Sequence, residues 1–220
     1  MPEMLPARIQ KGGNALDEEK ILAKFKNRQP SVLGMERLSR FAVLLPLIKM
    51  GDGLHVLFEV RAEHLKKQPG EICFPGGRIE RTDKDAQAAA IRETAEELRI
   101  DGSMIRDVVP LDYVVSSYGN RVVFPYAGFL PHTEFHPNSD EVKKLFTVPL
   151  SYLAETEPEC YRLQFKVEPD QDFPFHLIRG GKAYKWNTHK MDEYFYYYKD
   201  YVIWGLTASI LKNFLDTVKR

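Results

Sequence analysis

A layered α/β domain, with helices on both faces of a mixed central sheet, is the fold class this sequence predicts, and three observations predict it. Segments with strand character and segments with helix character interleave along the chain instead of falling into separate blocks. Phe41-Ala42-Val43-Leu44-Leu45-Pro46-Leu47-Ile48 is an unbroken apolar run of strand length, the pattern of a strand covered on both faces. The stretch from Ala86 to Leu98 is acidic and rich in alanine, and its small residues permit close packing of a helix on a sheet.

In chain order, Asp17 to Phe25 reads as a short amphipathic helix capped by Asp17 and ended before Pro30. The segment 30–40 is then a surface connector. Gly51-Asp52-Gly53 is a turn signal that pairs the apolar run with Leu54 to Val60 as a hairpin. Glu71 to Phe74 is a further strand, closed by Gly76-Gly77. Thr82 is the expected cap of the next helix, with Asp83 and Asp85 in its first turn, where the helix dipole favours anions. Asp101-Gly102 stops that helix near Arg99.

Val108 to Val115 and Val122 to Leu130 read as two strands around the loop 116–120. Asp140 to Phe146 looks like one or two helical turns, followed by a strand over Thr147 to Leu150 and a short helical piece over Ser151 to Glu155. Tyr161 to Phe165 and Glu193 to Tyr198 are strand-like, and the tyrosines are read as cover for a sheet face. Leu206, Ile210, Leu211, Phe214 and Leu215 form the apolar stripe of a closing helix that begins at Trp204. One domain is expected over 1–220, with 1–35 as an N-terminal helical extension and 36–220 as the core including the closing helix.

The 31 basic residues balance the 31 acidic ones, which argues against a nucleic-acid or membrane-surface role. Cys73 and Cys160 have no paired spacing, so they read as small hydrophobes in a reducing compartment. Met1 to Pro6 lacks an apolar leader, no apolar run approaches the ~20 residues of a membrane span, and Asp216 to Arg220 carries no peroxisomal or retention signal. A cytoplasmic protein is the expectation.

The chemistry is concentrated between Phe74 and Leu98. Glu93, Glu96 and Glu97 fall on or beside one helix face, where like charges cost roughly 0.2–0.5 kcal/mol per pair. A divalent cation would relieve that repulsion. A solvated acidic face is the bland alternative, but diglycine, polar loop and Arg-Glu-x-x-Glu-Glu in register favour a metal site. Gly76-Gly77 lets backbone approach a metal or phosphate, and Arg92 can fix a neighbouring glutamate through a bidentate pair. Upstream, Arg61, Lys66 and Lys67 form a basic cluster, whose usual meaning is a solvated surface but which beside the diglycine loop also suits an anionic ligand. His55, His64, His132, His136, His176 and His189 show no metal-ligand spacing and read as ordinary surface or core residues.

At these residues the sequence resembles the Nudix hydrolases. Gly77, then Asp83 in place of the family's glutamate, then Arg92-Glu93-Thr94-Ala95-Glu96-Glu97 follow the family signature with one extra residue before Arg92 and with Arg99 where the family has glycine. The longer loop with its aspartate is similar to the coenzyme A diphosphatase branch. So is the run from Val56 through Arg61, Lys66, Lys67 and Pro69-Gly70 to Phe74-Pro75-Gly76-Gly77. Asp140-Glu141-Val142, Val148-Pro149-Leu150 and Ile203 to Ala208 extend the likeness.

The resemblance implies an α/β/α sandwich and metal-dependent hydrolysis of coenzyme A to 3′,5′-ADP and 4′-phosphopantetheine. It implies Mg²⁺ or Mn²⁺ on Glu93, Glu96, Glu97 and the Gly77 carbonyl, with Arg92 orienting the carboxylates and either Glu93 or Glu141 as general base. For Glu141 an acid in a helix's first turn is the bland alternative. Arg61, Lys66, Lys67, Gly76 and Arg78 are the implied substrate contacts. A small-molecule partner, with no nucleic acid or membrane and with room for a homodimer, completes the expectation. Two alternatives stay open: hydrolysis of another diphosphate such as ADP-ribose or NADH, and a non-catalytic nucleotide sensor.

Overall fold

A computed structural model describes residues 17–116, 119–131 and 134–220; the expectations for Met1 to Pro6 and for His132 lie outside them. The chain divides into two compact units, 1–36 and 37–220. In the first, α1 (Glu18–Phe25) is capped as expected, with the Lys20 N–H donating to Asp17 Oδ1 at 2.9 Å.

The second unit holds an eight-stranded mixed sheet built around β1 (Ser39–Met50). β1 is antiparallel to β2 (Gly53–Arg61) through Leu47–Met50 and to β4 (Gly76–Arg78) through Phe41–Val43. Pro46 explains the division. Leu44 donates to Pro75 O on this edge, and two residues later the proline has no N–H to offer, so one partner leaves and the other begins. On its other edge β1 runs parallel to β7 (Arg121–Leu130) over ten residue pairs. β3 (Ile72–Cys73) and β8 (Val142–Pro149) pair with β2, while β5 (Arg106–Pro110) and β6 (Val114–Ser116) pair with β7.

The alternation of β1 feeds two cores. Ala42, Leu44 and Ile48 belong to the side covered by α2 (Ala86–Leu98), which brings Ala86, Ala89, Ala90 and Leu98. Leu45 and Leu47, with Val56 and Phe58, face α3 (Leu150–Glu155) and α4 (Gly205–Val218), which bring Leu153, Ile210, Leu211, Phe214 and Leu215. Helices therefore cover both faces, as the interleaved pattern implied. A second sheet of β9 (Glu159–Phe165), β10 (His189–Tyr198) and β11 (Tyr201–Trp204) is antiparallel throughout. Tyr196 and Ile203 anchor its inner face in the core beside α4.

Three sequence expectations are corrected. Asp85, not Thr82, caps α2: it is extended, and its Oδ1 accepts from the Ala88 N–H at 2.8 Å. Thr82 and Asp83 lie in the preceding turn, where Asp83 accepts from the Glu80 N–H and from Arg92. The expected helical turns over Asp140 to Phe146 are a turn followed by β8, because β2 has a far edge to fill and pairing overrides local propensity. Val108 to Val115 is two strands rather than one. Pro110 and Leu111 end the first, and Leu111 donates to Pro125 O before pairing resumes at Val114.

Candidate active site

The acidic helix α2 meets the diglycine strand β4 along one wall of a cleft of about 660 Å³. Gly77 is a glycine because Glu93 lies against it: a Cβ there would collide with the Glu93 carboxylate. Gly76 has φ +150°, and a Cβ would press on Ala42 O and, at 2.6 Å, on Val43 Cα. Its N–H donates to Glu97 Oε2 at 2.8 Å. These contacts hold Glu93 and Glu97 at the same point of the sheet from two successive turns of helix.

Arg92 is the organising cation. Its Nε and Nη2 donate to Asp83 Oδ1 and Oδ2 at 2.9 and 3.0 Å, and Nη1 donates to Glu93 at 3.0 Å and Glu96 at 3.2 Å. The bidentate partner is thus Asp83, not a neighbouring glutamate. The aspartate that departs from the family signature is what pins the arginine. Arg92 also supplies part of the positive charge that the glutamate spacing called for. The same pairing holds the Asp83 carboxyl below the usual carboxylate range.

Beneath this network lies a residue the sequence reading missed. Glu59 on β2 is 1% exposed; its Oε1 accepts from Cys73 Sγ at 3.1 Å, and its Oε2 has no hydrogen-bond partner. Glu97 is 2% exposed. Burial raises the pKa of both, and the Glu59 carboxylate raises that of Glu97 further. Glu141 adds to the repulsion felt by Glu59, Glu93 and Glu97. An acidic residue in an otherwise apolar strand was the available signal for Glu59. The thiol of Cys73, read as a small hydrophobe, lines the cleft and is pushed up in pKa by burial and by Glu59.

Glu141 reaches the cleft from the turn before β8. Asn138 N–H donates to Glu97 O at 2.8 Å, Arg99 Nη2 donates to Asn138 Oδ1 at 3.1 Å, and Ala62 N–H donates to Glu141 O at 2.8 Å. The bland first-turn role is therefore removed, since Glu141 leads directly into strand β8 and not into a helix.

Of the sequence-derived candidates, Arg61, Lys67, Gly76, Gly77, Glu93, Glu97 and Glu141 line the cleft together. Arg61 Nε is buried there without a partner. Lys66, Arg78 and Glu96 are not in the lining; Arg78 contributes its carbonyl to Arg92, and Glu96 is an exposed partner of Arg92. His55, read as ordinary, is buried and hydrogen-bonded to Asp52 at 2.9 Å.

Among the described residues, no three acidic, imidazole or thiol groups form a ready-made ligand set. The site nonetheless suits a hard cation. Its donors are carboxylate oxygens, they repel one another, and one buried oxygen is unpartnered.

Comparison with known proteins matches residues 38–164 to the NUDIX domain model. Peroxisomal coenzyme A diphosphatase NUDT7 of Mus musculus is 39% identical over 142 residues, which are 64% of this chain and 58% of that protein. The match to that relative thus spans less than two thirds of its length. Uncharacterized Nudix hydrolases NudL are 32% identical in Enterobacter sp. (strain 638), over 78% of this chain and 79% of the relative, and 30% identical in Yersinia enterocolitica, over 96% of both.

Proposed function

This chain belongs to the Nudix family, and from that premise we propose that it hydrolyses the diphosphate bond of coenzyme A or its thioesters, yielding 3′,5′-ADP and (acyl-)4′-phosphopantetheine. The observation that carries the reading is that Arg61 and Lys67 reach the same cleft as Glu93 and Glu97. A nucleotide that carries a 3′-phosphate besides its diphosphate calls for cations in the cleft of the hydrolytic carboxylates, and Arg61 and Lys67 supply them. The 39% identity to a coenzyme A diphosphatase supports the same substrate.

Nudix hydrolases generally require a divalent metal ion. We assign Mg²⁺ or Mn²⁺ to Glu93, Glu96, Glu97 and the Gly77 carbonyl; bound there, it neutralises phosphoryl charge and makes a water more acidic. The chain's own groups do the rest. Arg92, anchored on Asp83, keeps Glu93 and Glu96 oriented. Arg61 and Lys67 hold the substrate's phosphates, with Lys66 and Arg78 attracting them from outside the lining. Gly76, whose N–H is engaged by Glu97, contributes shape. Of the two base candidates, Glu93 already accepts from Arg92, whereas Glu141 lies outside that network at an exposed cleft margin. Glu141 is accordingly the group that takes the proton of the attacking water as the bond from phosphorus to the bridging oxygen breaks.

The assay is coenzyme A with the full chain and either metal, with products separated by chromatography. Formation of 3′,5′-ADP is expected. No turnover of coenzyme A or its thioesters with either ion sinks the proposal, and faster cleavage of ADP-ribose or NADH reassigns the substrate. Cytoplasmic location and a homodimer belong to the same reading; light scattering checks the second.

A further inference from the structure

The cleft has a second wall that the hydrolytic chemistry does not use. It is contributed by the small sheet: Leu163 and Phe165 from β9, Met191 and Glu193 from β10, and Trp204 from β11. Strand register fixes their layout. Phe165 pairs with His189, Leu163 with Met191, and Trp204 with Phe195. From the level of Phe165 to the level of Trp204 is six residues along β10, or roughly 20 Å.

The two aromatic side chains therefore stand at opposite ends of the wall and cannot clamp one flat ring between them. Trp204 is also stacked on Phe195, with centroids 5.9 Å apart and planes 10° from parallel. Between the aromatic ends run Leu163 and Met191, with one polar interruption. Glu193 Oε2 is buried without a hydrogen-bond partner. A buried acceptor without a donor is unfavourable, so this one marks a place for a donor.

Resting on the diphosphatase reading, we propose that this wall is a track for the uncleaved aliphatic arm of the substrate, with Glu193 accepting from an amide N–H of that arm. A planar base clamped on both faces would need two facing rings, which this wall does not bring together. An extended, amide-bearing chain needs a long apolar strip with an acceptor partway along, which is what β9 and β10 present. Burial raises the Glu193 pKa, as expected for a carboxylate awaiting a donor.

Titration calorimetry with 4′-phosphopantetheine and, separately, 3′,5′-ADP tests this on the full chain. Leu163→Asp with Met191→Asp places charge on the track at half-buried or exposed positions, and is expected to weaken 4′-phosphopantetheine binding by about tenfold or more. Glu193→Leu weakens it severalfold and Glu193→Gln restores it, since an amide oxygen still accepts. Binding of 3′,5′-ADP stays within about twofold throughout. The track is overturned if the loss falls on 3′,5′-ADP, if neither ligand is affected, or if wild-type protein does not bind 4′-phosphopantetheine at millimolar concentration. A wild-type protein that binds the arm but leaves coenzyme A intact upholds the track and removes the hydrolytic reading. Hydrolysis of coenzyme A with an unchanged kcat/KM in the track variants does the reverse.

Discussion

Glu97 and Glu59 are held close together in a buried site, and this costs free energy when no cation is present. Both pKa values stand above the 4.5 of an ordinary glutamate, burial being the first cause. Above about pH 4.5 the unfolded chain releases these protons while the folded pair keeps them, so the folded state binds more protons and stability falls as pH rises. In EDTA the melting temperature is therefore expected to decline from about pH 5 to about pH 8, and a divalent cation to reverse the decline most at the upper end, since metal and proton compete for the same oxygens. A flat or rising EDTA profile contradicts this. Glu97→Gln keeps an acceptor for the Gly76 N–H but removes the charge. It should flatten the profile, preserve or raise stability, and reduce turnover at least about a hundredfold. Gly77→Ala drives a methyl group into the Glu93 carboxylate. Turnover should fall by a similar factor with circular dichroism unchanged, which a kcat measurement on folded protein checks.

At the scale of elements, α2 ends in an unusual way. Arg99 adopts the left-handed conformation, φ 51° and ψ 51°, where the family signature has glycine. A non-glycine residue there costs about 1 kcal/mol, and the Arg99 contact to Asn138 offsets it by tying the Glu141 turn to the end of the helix. Arg99→Gly is expected to leave the melting temperature level or slightly higher while lowering kcat severalfold, because the strain goes and the side-chain half of the tether goes with it, leaving the Asn138 N–H to Glu97 O bond alone. Equal kcat in the variant would show that the Glu141 turn needs no tether. The departure at Arg99 is legible in the sequence. Its use is not, because the tether crosses 39 residues to Asn138.

For the whole molecule, α1 carries no buried residue, whereas the sheet and its helices belong to the unit 37–220. Deletion of residues 1–30 is expected to preserve both the thermal transition and hydrolysis by the remaining chain. Calorimetry of the truncated protein checks it, and a transition lowered by more than about 4 °C, the effect of roughly 1–2 kcal/mol in a chain of this length, overturns it. No helix among the described residues is long and apolar enough to cross a membrane.

The sequence by itself determined the layered class, the doubly covered β1, the capped α1 and the stripe of α4, because each depends on local periodicity and side-chain sterics. It also marked Arg92, Glu93, Glu96 and Glu97, whose spacing on one helix is a local property. Tertiary structure alone decided the rest. Glu59 enters the site only because β2 pairs with β3, which carries Cys73 opposite it. Glu141 enters because β8 pairs with β2, which also turned the expected helical segment into a strand. The apolar wall of Leu163, Met191 and Trp204 exists because β9 pairs with β10 across more than 20 intervening residues and β11 folds back on β10 as a hairpin. Pairing of distant strands obeys no short-range period, so the acidic helix could be read from the chain and its surroundings could not.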